Sequence, residues 1–151
     1  MQHKIIPDVI GGQKLVVADD DATVREAARL MAENAVGAVM IIEGNTLVGI
    51  FTERDLATRV VAPGLDPDRV RLAEGMTRDP DTIRPDETAR DALEKMQRCG
   101  YRHLPVVNVG TIVGMVSVRD LYRAVLCQLE EDLRELDAYV HGPGYGVAPT
   151  P

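Results

Sequence analysis

At 151 residues with 45% hydrophobic side chains, the chain can bury a core, and its composition argues against disorder. A formal net charge of -7 disfavours nonspecific binding to nucleic acid or to an anionic membrane, which needs a basic surface, and leaves room only for a small local anion site. Cys99 and Cys127 stand at no metal-ligand spacing, no early stretch reads as a signal peptide and no run is apolar enough to span a membrane, so inert thiols and a cytoplasmic location are expected.

Residues 1–15 form a polar leading segment containing Gly11-Gly12. A short strand follows at 15–18. Asp19-Asp20-Asp21 then offers N-cap carboxylates to a helix over 23–34, on which Val24, Ala27, Ala28, Met31 and Ala35 share one face. The unbroken apolar run 38–42 reads as a buried strand, Glu43-Gly44-Asn45 as a turn, 47–51 as the returning strand of a hairpin, and 53–61 as a helix. Pro and Gly together break the chain at 62–68, and a short helix is expected over 68–74. The order then replays: a strand at 81–83, a helix over 86–98, a strand at 103–107, a turn at 108–110, a strand at 111–116 and a helix from Val118. With five aromatics (Phe51, Tyr101, Tyr122, Tyr139, Tyr145), the core must be aliphatic.

The replay is an internal repeat. Residues 16–56 align without a gap with 81–121 at a constant offset of 65, and eleven of the 41 positions are identical. A fixed period means one supersecondary unit used twice. Each unit of about 60 residues would be marginal alone, so the two are expected to share buried surface. The strand–helix–strand part implies a right-handed crossover between parallel strands, and the hairpin adds an antiparallel neighbour.

Agreement between the copies is strongest in Val48-Gly49-x-x-Thr52-x-Arg54-Asp55-Leu56 and Val113-Gly114-x-x-Ser117-x-Arg119-Asp120-Leu121. Thr52 and Asp55, like Ser117 and Asp120, stand three apart where a strand meets a helix. By itself that spacing is a capping box. Its duplication, a preceding strand glycine that permits close approach, and an Arg directly before the Asp point further. A helix N-terminus attracts phosphate, and a carboxylate there accepts hydrogen bonds from sugar hydroxyls. Together these residues suit a ligand carrying both ribose and phosphate.

These two motifs, each closing a β-α-β-β-α unit, resemble a tandem pair of CBS domains (a Bateman module) over residues 5–126. The resemblance implies a mixed α/β fold of two such repeats with pseudo-two-fold symmetry, plus a C-terminal helix. Its division would be 1–62 for the first repeat with the N-terminal segment, 63–75 for a linker and short helix, 76–126 for the second repeat and 127–151 for the helical extension and a disordered tail. It also implies AMP, ADP, ATP or S-adenosylmethionine as a regulatory ligand between the units, with no cofactor required. Asp55 and Asp120 would accept from ribose hydroxyls, and Thr52 and Ser117 would touch phosphate or ribose. Thr82 and Ile83 would border the adenine in the second copy, and Ala18 is the matching position in the first. Tyr101-Arg102-His103-Leu104-Pro105 resembles the family segment whose basic residues reach phosphate, whereas the first copy has Val36-Gly37-Ala38-Val39-Met40 there. The second copy is therefore expected to hold the tighter site, with Arg54 and Arg119 as further candidate contacts and Arg59 and Arg123 at the surface.

The last helix outruns its counterpart. Tyr122, Leu126, Leu129, Leu133, Leu136 and Val140 are spaced 4, 3, 4, 3, 4, an a/d-like seam that ends near His141-Gly142. It is expected either to pair with a second copy or to pack back on its own subunit, burying Leu129 and Leu133 either way. No Ser-His-Asp order, metal-type His/Cys cluster or P-loop is visible. The reading is a non-enzymatic sensor that binds an adenine nucleotide, forms a homodimer and signals to an unknown regulated protein. Its rivals are a structural dimerisation module with vestigial sites and, disfavoured by charge, a nucleic-acid-binding regulator.

Overall fold

A computed structural model of the chain describes residues 3–142; the final residues, expected to be disordered, lie outside them. The first unit contains β1 (Val17–Asp19), α1 (Val24–Asn34), β2 (Ala38–Glu43), β3 (Thr46–Thr52) and α2 (Glu53–Asp55), which continues as a wider-wound turn over Leu56–Val61. After the linker come α3 (Leu72–Gly75) and β4 (Thr77–Arg78). The second unit contains α4 (Ala89–Cys99), β5 (His103–Asn108), β6 (Thr111–Ser117) and α5 (Val118–His141). No helix among the described residues is long and apolar enough to cross a membrane.

The first sheet has the order β1-β2-β3-β4, with β1 parallel to β2 and the other pairs antiparallel. The second has only β5 and β6, again antiparallel. The two hairpins are irregular at equivalent places, between Ile41 and Ile42 and between Val106 and Val107. Repetition thus extends below the level of elements.

The strand expected at 81–83 is reduced to a single parallel bridge between Ile83 and Val106. The reason is Pro105. In the first copy the Met40 N–H donates to the Val16 carbonyl at 3.1 Å. Pro105 occupies the matching position and has no N–H, so the parallel ladder cannot extend back to Asp81. What remains is Ile83 N–H to the Pro105 carbonyl and Val107 N–H to the Ile83 carbonyl, both at 2.9 Å.

The units exchange their leading segments. Residues before the first copy complete the second core, where Ile5 and Ile10 pack with Ile83, Leu104, Val116 and Leu121. The Ala89 N–H donates to the His3 carbonyl at 2.8 Å, and the Ile5 N–H to the Glu87 carbonyl at 2.9 Å. The N-terminal segment, expected with the first copy, therefore packs on the other one. Residues before the second copy complete the first core, where Leu72 and Met76 join Val24, Ile41, Phe51 and Val60. Here the Val24 N–H donates to the Val70 carbonyl and the Leu72 N–H to the Ala22 carbonyl, each at 2.9 Å.

The strand glycines explain how the exchanged segments fit. A Cβ on Gly49 would collide with the Met76 sulfur, and one on Gly114 would come within 2.8 Å of Ile10 Cδ1. The close approach expected there is made by the exchanged segments. Where β4 pairs with Gly49 and Ile50, the second copy uses a side chain: Gln13 Nε2 donates to the Met115 carbonyl at 3.0 Å, and the Met115 N–H donates to Gln13 Oε1 at 2.8 Å.

A third apolar cluster of Ala38, Met40, Ile50 and Met115 joins the two hairpins across the pseudo-dyad. The first turns of α5 pack on α4 and the N-terminal segment, and Val125, Gln128 and Leu129 line a cavity against His3 and Ala89. Leu129 and Leu133 are nevertheless 52% and 65% exposed, so packing on the chain's own subunit does not bury them as expected.

Candidate nucleotide cleft between the units

Both duplicated motifs are capping boxes. Thr52 N–H donates to Asp55 Oδ2 at 2.9 Å, and the Asp55 N–H donates to Thr52 Oγ1 at 3.2 Å. Ser117 N–H donates to Asp120 Oδ2 at 2.8 Å, and the Asp120 N–H donates to Ser117 Oγ at 3.2 Å. Thr23/Glu26 and Thr88/Asp91 make the same box at the exposed starts of α1 and α4. Capping alone therefore does not mark a site. What differs is position: the Thr52 and Ser117 boxes are partly buried and lie where the hairpins of the two units meet.

The two aspartates are held unequally. Asp55 is buried, and its second oxygen lies 3.5 Å from Arg59 Nε. Arg59 also donates to the Gly75 and Met76 carbonyls at 3.1 and 2.9 Å, clipping α2 to the exchanged segment. Arg59 lies at the surface, as expected, and from there it also positions α2. The residue matching Arg59 in the second copy is Ala124, so Asp120 is held by Ser117 without such a clip.

A cavity of about 210 Å³ opens between the units. The first copy lines it with Ile50, Thr52, Glu53, Arg54, Asp55 and the attached Thr77; the second lines it with Pro80, Asp81, Cys99, Gly100, Tyr101, Arg102 and His103. Of the residues expected at a site, Thr52, Arg54, Asp55, Arg102 and His103 are brought together here. Arg102 and His103 of the second copy thus face the motif of the first, the direction in which the phosphates of a site in the second copy were expected to extend. The reason is the pseudo-dyad. His103 starts β5 and Arg102 directly precedes it, and across the axis that strand end meets the start of α2. His103 still lies beside Ser117, its antiparallel partner in β6.

The remaining expected residues sit elsewhere. Ala18 is in the first core and Ile83 in the second. The Thr82 carbonyl accepts from Lys95 Nζ at 2.7 Å. Pro105 is a buried strand position, paired with Met115. Ser117, Arg119 and Asp120 lie at the start of α5 and do not line the cavity. Glu53, Thr77, Pro80 and Asp81 line it unexpectedly. Asp81 is there because Pro105 ends the ladder that would have absorbed it. Glu53 carries no repeat signal, its counterpart being Val118.

Glu53 and His103 converge over Gly37: a Cβ there would lie 3.2 Å from Glu53 Oε1 and 3.3 Å from His103 Nε2. Burial pushes the His103 imidazole below its ordinary pKa, against the opposing pull of Glu53 and Asp120 and with a smaller push from Arg102. Burial pushes the Tyr101 phenol up, helped by Asp81. The cleft therefore offers fixed guanidinium charges, a neutral imidazole and a held carboxylate on facing walls.

The CBS domain family model matches the chain twice, at residues 8–62 and 70–127. The chain is 36% identical over 119 residues to an uncharacterised 17.7 kDa protein of Acidianus ambivalens, covering 78% of this chain and 71% of that one. It is 33% identical over 130 residues to the mitochondrial CBS domain-containing protein CBSX3 of Arabidopsis thaliana, covering 83% and 63%. It spans only about a fifth of larger relatives, such as 21% of an Arabidopsis thaliana CBS domain-containing protein to which it is 38% identical over 114 residues. Among solved structures, a conserved protein of Pyrococcus horikoshii superposes with a TM-score of 0.74 at 32% identity, over 83% of this chain and 93% of that one. A CBS domain protein of Pyrobaculum aerophilum complexed with AMP superposes with a TM-score of 0.72 at 33% identity, over 82% and 95%.

Proposed function

The chain belongs to the CBS domain family, and from that premise we propose that it is a non-enzymatic regulatory module that binds an adenine nucleotide between its units and signals ligand state to a partner protein. The observation that carries this reading is the convergence of Thr52, Arg54 and Asp55 from one copy with Arg102 and His103 from the other around one cavity. A held carboxylate suits ribose hydroxyls, and guanidinium groups suit phosphate. Burial keeps His103 neutral, and a phosphate beside it would favour the imidazolium. The AMP complex of the Pyrobaculum aerophilum relative supports AMP as the first ligand to try. A ligand touching both walls has different affinities for different arrangements of the units, and that difference is what shifts the population. The module acts as a homodimer.

A second reading is favoured by one observation: the hydroxyl and carboxylate of each motif are already engaged in helix caps. On that reading the clefts are vestigial and the protein is a structural dimerisation module. Titration calorimetry with AMP, ADP, ATP and S-adenosylmethionine separates the two. Wild type should bind at least one of them. Asp55→Asn keeps a cap acceptor and should weaken AMP binding about ten- to a hundredfold, the loss expected for hydrogen bonds to a charged acceptor. Arg102→Ala should weaken AMP more than adenosine. No binding by wild type favours the vestigial reading, and full affinity in folded Asp55→Asn sinks the ribose assignment.

A further inference from the structure

Beyond Leu121, α5 carries an uncovered apolar stripe. Tyr122, Leu126, Leu129, Leu133, Leu136 and Val140 are each between 52% and 65% exposed. In heptad terms Leu126, Leu133 and Val140 hold a, and Tyr122, Leu129 and Leu136 hold d. A contiguous apolar stripe of this kind on a folded protein marks an interaction surface. We propose that its occupant is the same stripe of a second copy, with the two α5 helices packed antiparallel.

The flanking residues decide the direction. In a parallel in-register pair, a g residue faces the following e residue of its partner. Asp132 would then face the partner's Asp137 on both sides, and Val125 would face the partner's Glu130. That arrangement contains two like-charge contacts and no attractive pair. The antiparallel arrangement matches a with d throughout: Leu129 meets the partner's Leu133, Leu126 the partner's Leu136 and Tyr122 the partner's Val140. On one flank Arg123 meets the partner's Asp137, twice by symmetry. On the other, Val125 meets the partner's Tyr139, and these side chains are 38% and 78% exposed in the single chain. Like charges meet only on the two-fold axis, Glu130 with itself and Asp132 with itself. Two ion pairs and two apolar pairs oppose those two contacts. The whole exposed seam is covered, and the two bodies lie at opposite ends of the helix pair.

This goes beyond the homodimer proposed above, which the helices of the repeats could build without α5, and the two fail separately. Asp137→Arg in the full chain gives opposite signs for the two directions. Antiparallel, it sets the introduced guanidinium against the partner's Arg123; parallel, it relieves the Asp132–Asp137 repulsion. Asp137 is exposed and its 3.4 Å contact with His141 Nδ1 lies at the surface, so folding is not at risk. The dimer dissociation constant, from a dilution series in sedimentation equilibrium, should weaken about tenfold. Adding Arg123→Glu should restore it. Spin labels at Glu131→Cys and at His141→Cys, each in a Cys99→Ser/Cys127→Ser background, give the geometry directly. The pair at 131, on the outer faces of the two helices, should be separated only across the helix pair, whereas the pair at 141 should be displaced about a further 30 Å along the helix axis, twenty residues of helical rise. A tighter or unchanged dimer on Asp137→Arg, or equal distances at the two labels, overturns the antiparallel α5 pair and leaves the homodimer standing. A wild-type monomer at micromolar concentration overturns both.

Discussion

Single residues carry the differences between the copies. Val109 sits at φ 47, 98% exposed, at the tip of the β5–β6 hairpin, where the first copy has Gly44 at φ 63. A β-branched residue is strained in this left-handed region, and nothing packs on it in return. Val109→Asn, followed by Gly110, creates the Asn-Gly pair that a tight hairpin prefers. It should stabilise the protein by about 1 kcal/mol, read from the midpoint of denaturant unfolding. His103 sets a pH dependence. Its folded pKa lies below the ordinary value of about 6.5, so the unfolded chain binds the proton more readily. Stability from the neutral imidazole is present above that range and is lost as pH falls from about 6.5 toward the folded value. Unfolding free energies at several pH values should therefore drop more steeply with acid in wild type than in His103→Ala. Equal slopes would mean that His103 is not held neutral by the fold. Arg102, His103, Thr52 and Asp55 were legible in the sequence as chemistry; which of them face one another was not, because that depends on how the copies dock.

At the scale of elements, hydrophobic period and turn residues place the helices and hairpins well. The capped helices α1 and α4 begin at Val24 and Ala89, directly after Thr23 and Thr88. Elements fail to follow sequence where their partners are remote. The 81–83 segment has strand composition, yet Pro105 denies it a ladder. The linker reads as a boundary, yet α3 within it is core: Leu72 is fully buried, whereas Leu65 is 49% exposed. Leu72→Ala should cost about 2–5 kcal/mol, the range for deleting a buried leucine. Leu65→Ala should stay within about 0.5 kcal/mol of wild type. Equal, small effects in chemical denaturation would show that the exchanged segment contributes little to the first core.

At the scale of the whole molecule, exchange of leading segments makes each unit depend on chain that precedes the other. Ile5 and Ile10 close the second core, and Leu72 and Met76 close the first. The hairpins are further joined through Ala38, Met40, Ile50 and Met115. A unit of about 60 residues is marginal by size alone, and this interlock supplies the apolar contacts each would otherwise lack. Symmetry is kept in the backbone where each hairpin meets its following helix and broken in the chemistry around it. The Glu53 N–H donates to the Gly37 carbonyl at 3.0 Å just as the Val118 N–H donates to the Arg102 carbonyl at 2.9 Å. Around those matched bonds, Glu53, Arg102 and His103 line one cleft, while Val118, Gly37 and Ala38 are their counterparts in the other.

The sequence by itself determined the repeat, the two-unit mixed fold, the family and the residue types able to meet a nucleotide, because these follow from local periodicity and from a motif present twice. It also determined that α5 is amphipathic. Only the tertiary structure decided that the leading segments are exchanged, that Asp55 and not Asp120 is clipped by an arginine, that Arg102 and His103 of one copy face the motif of the other, and that the α5 seam is left exposed. Each of these is a pairing between residues far apart in the chain. Such pairings are set by shape and burial across the pseudo-dyad, which no local pattern encodes.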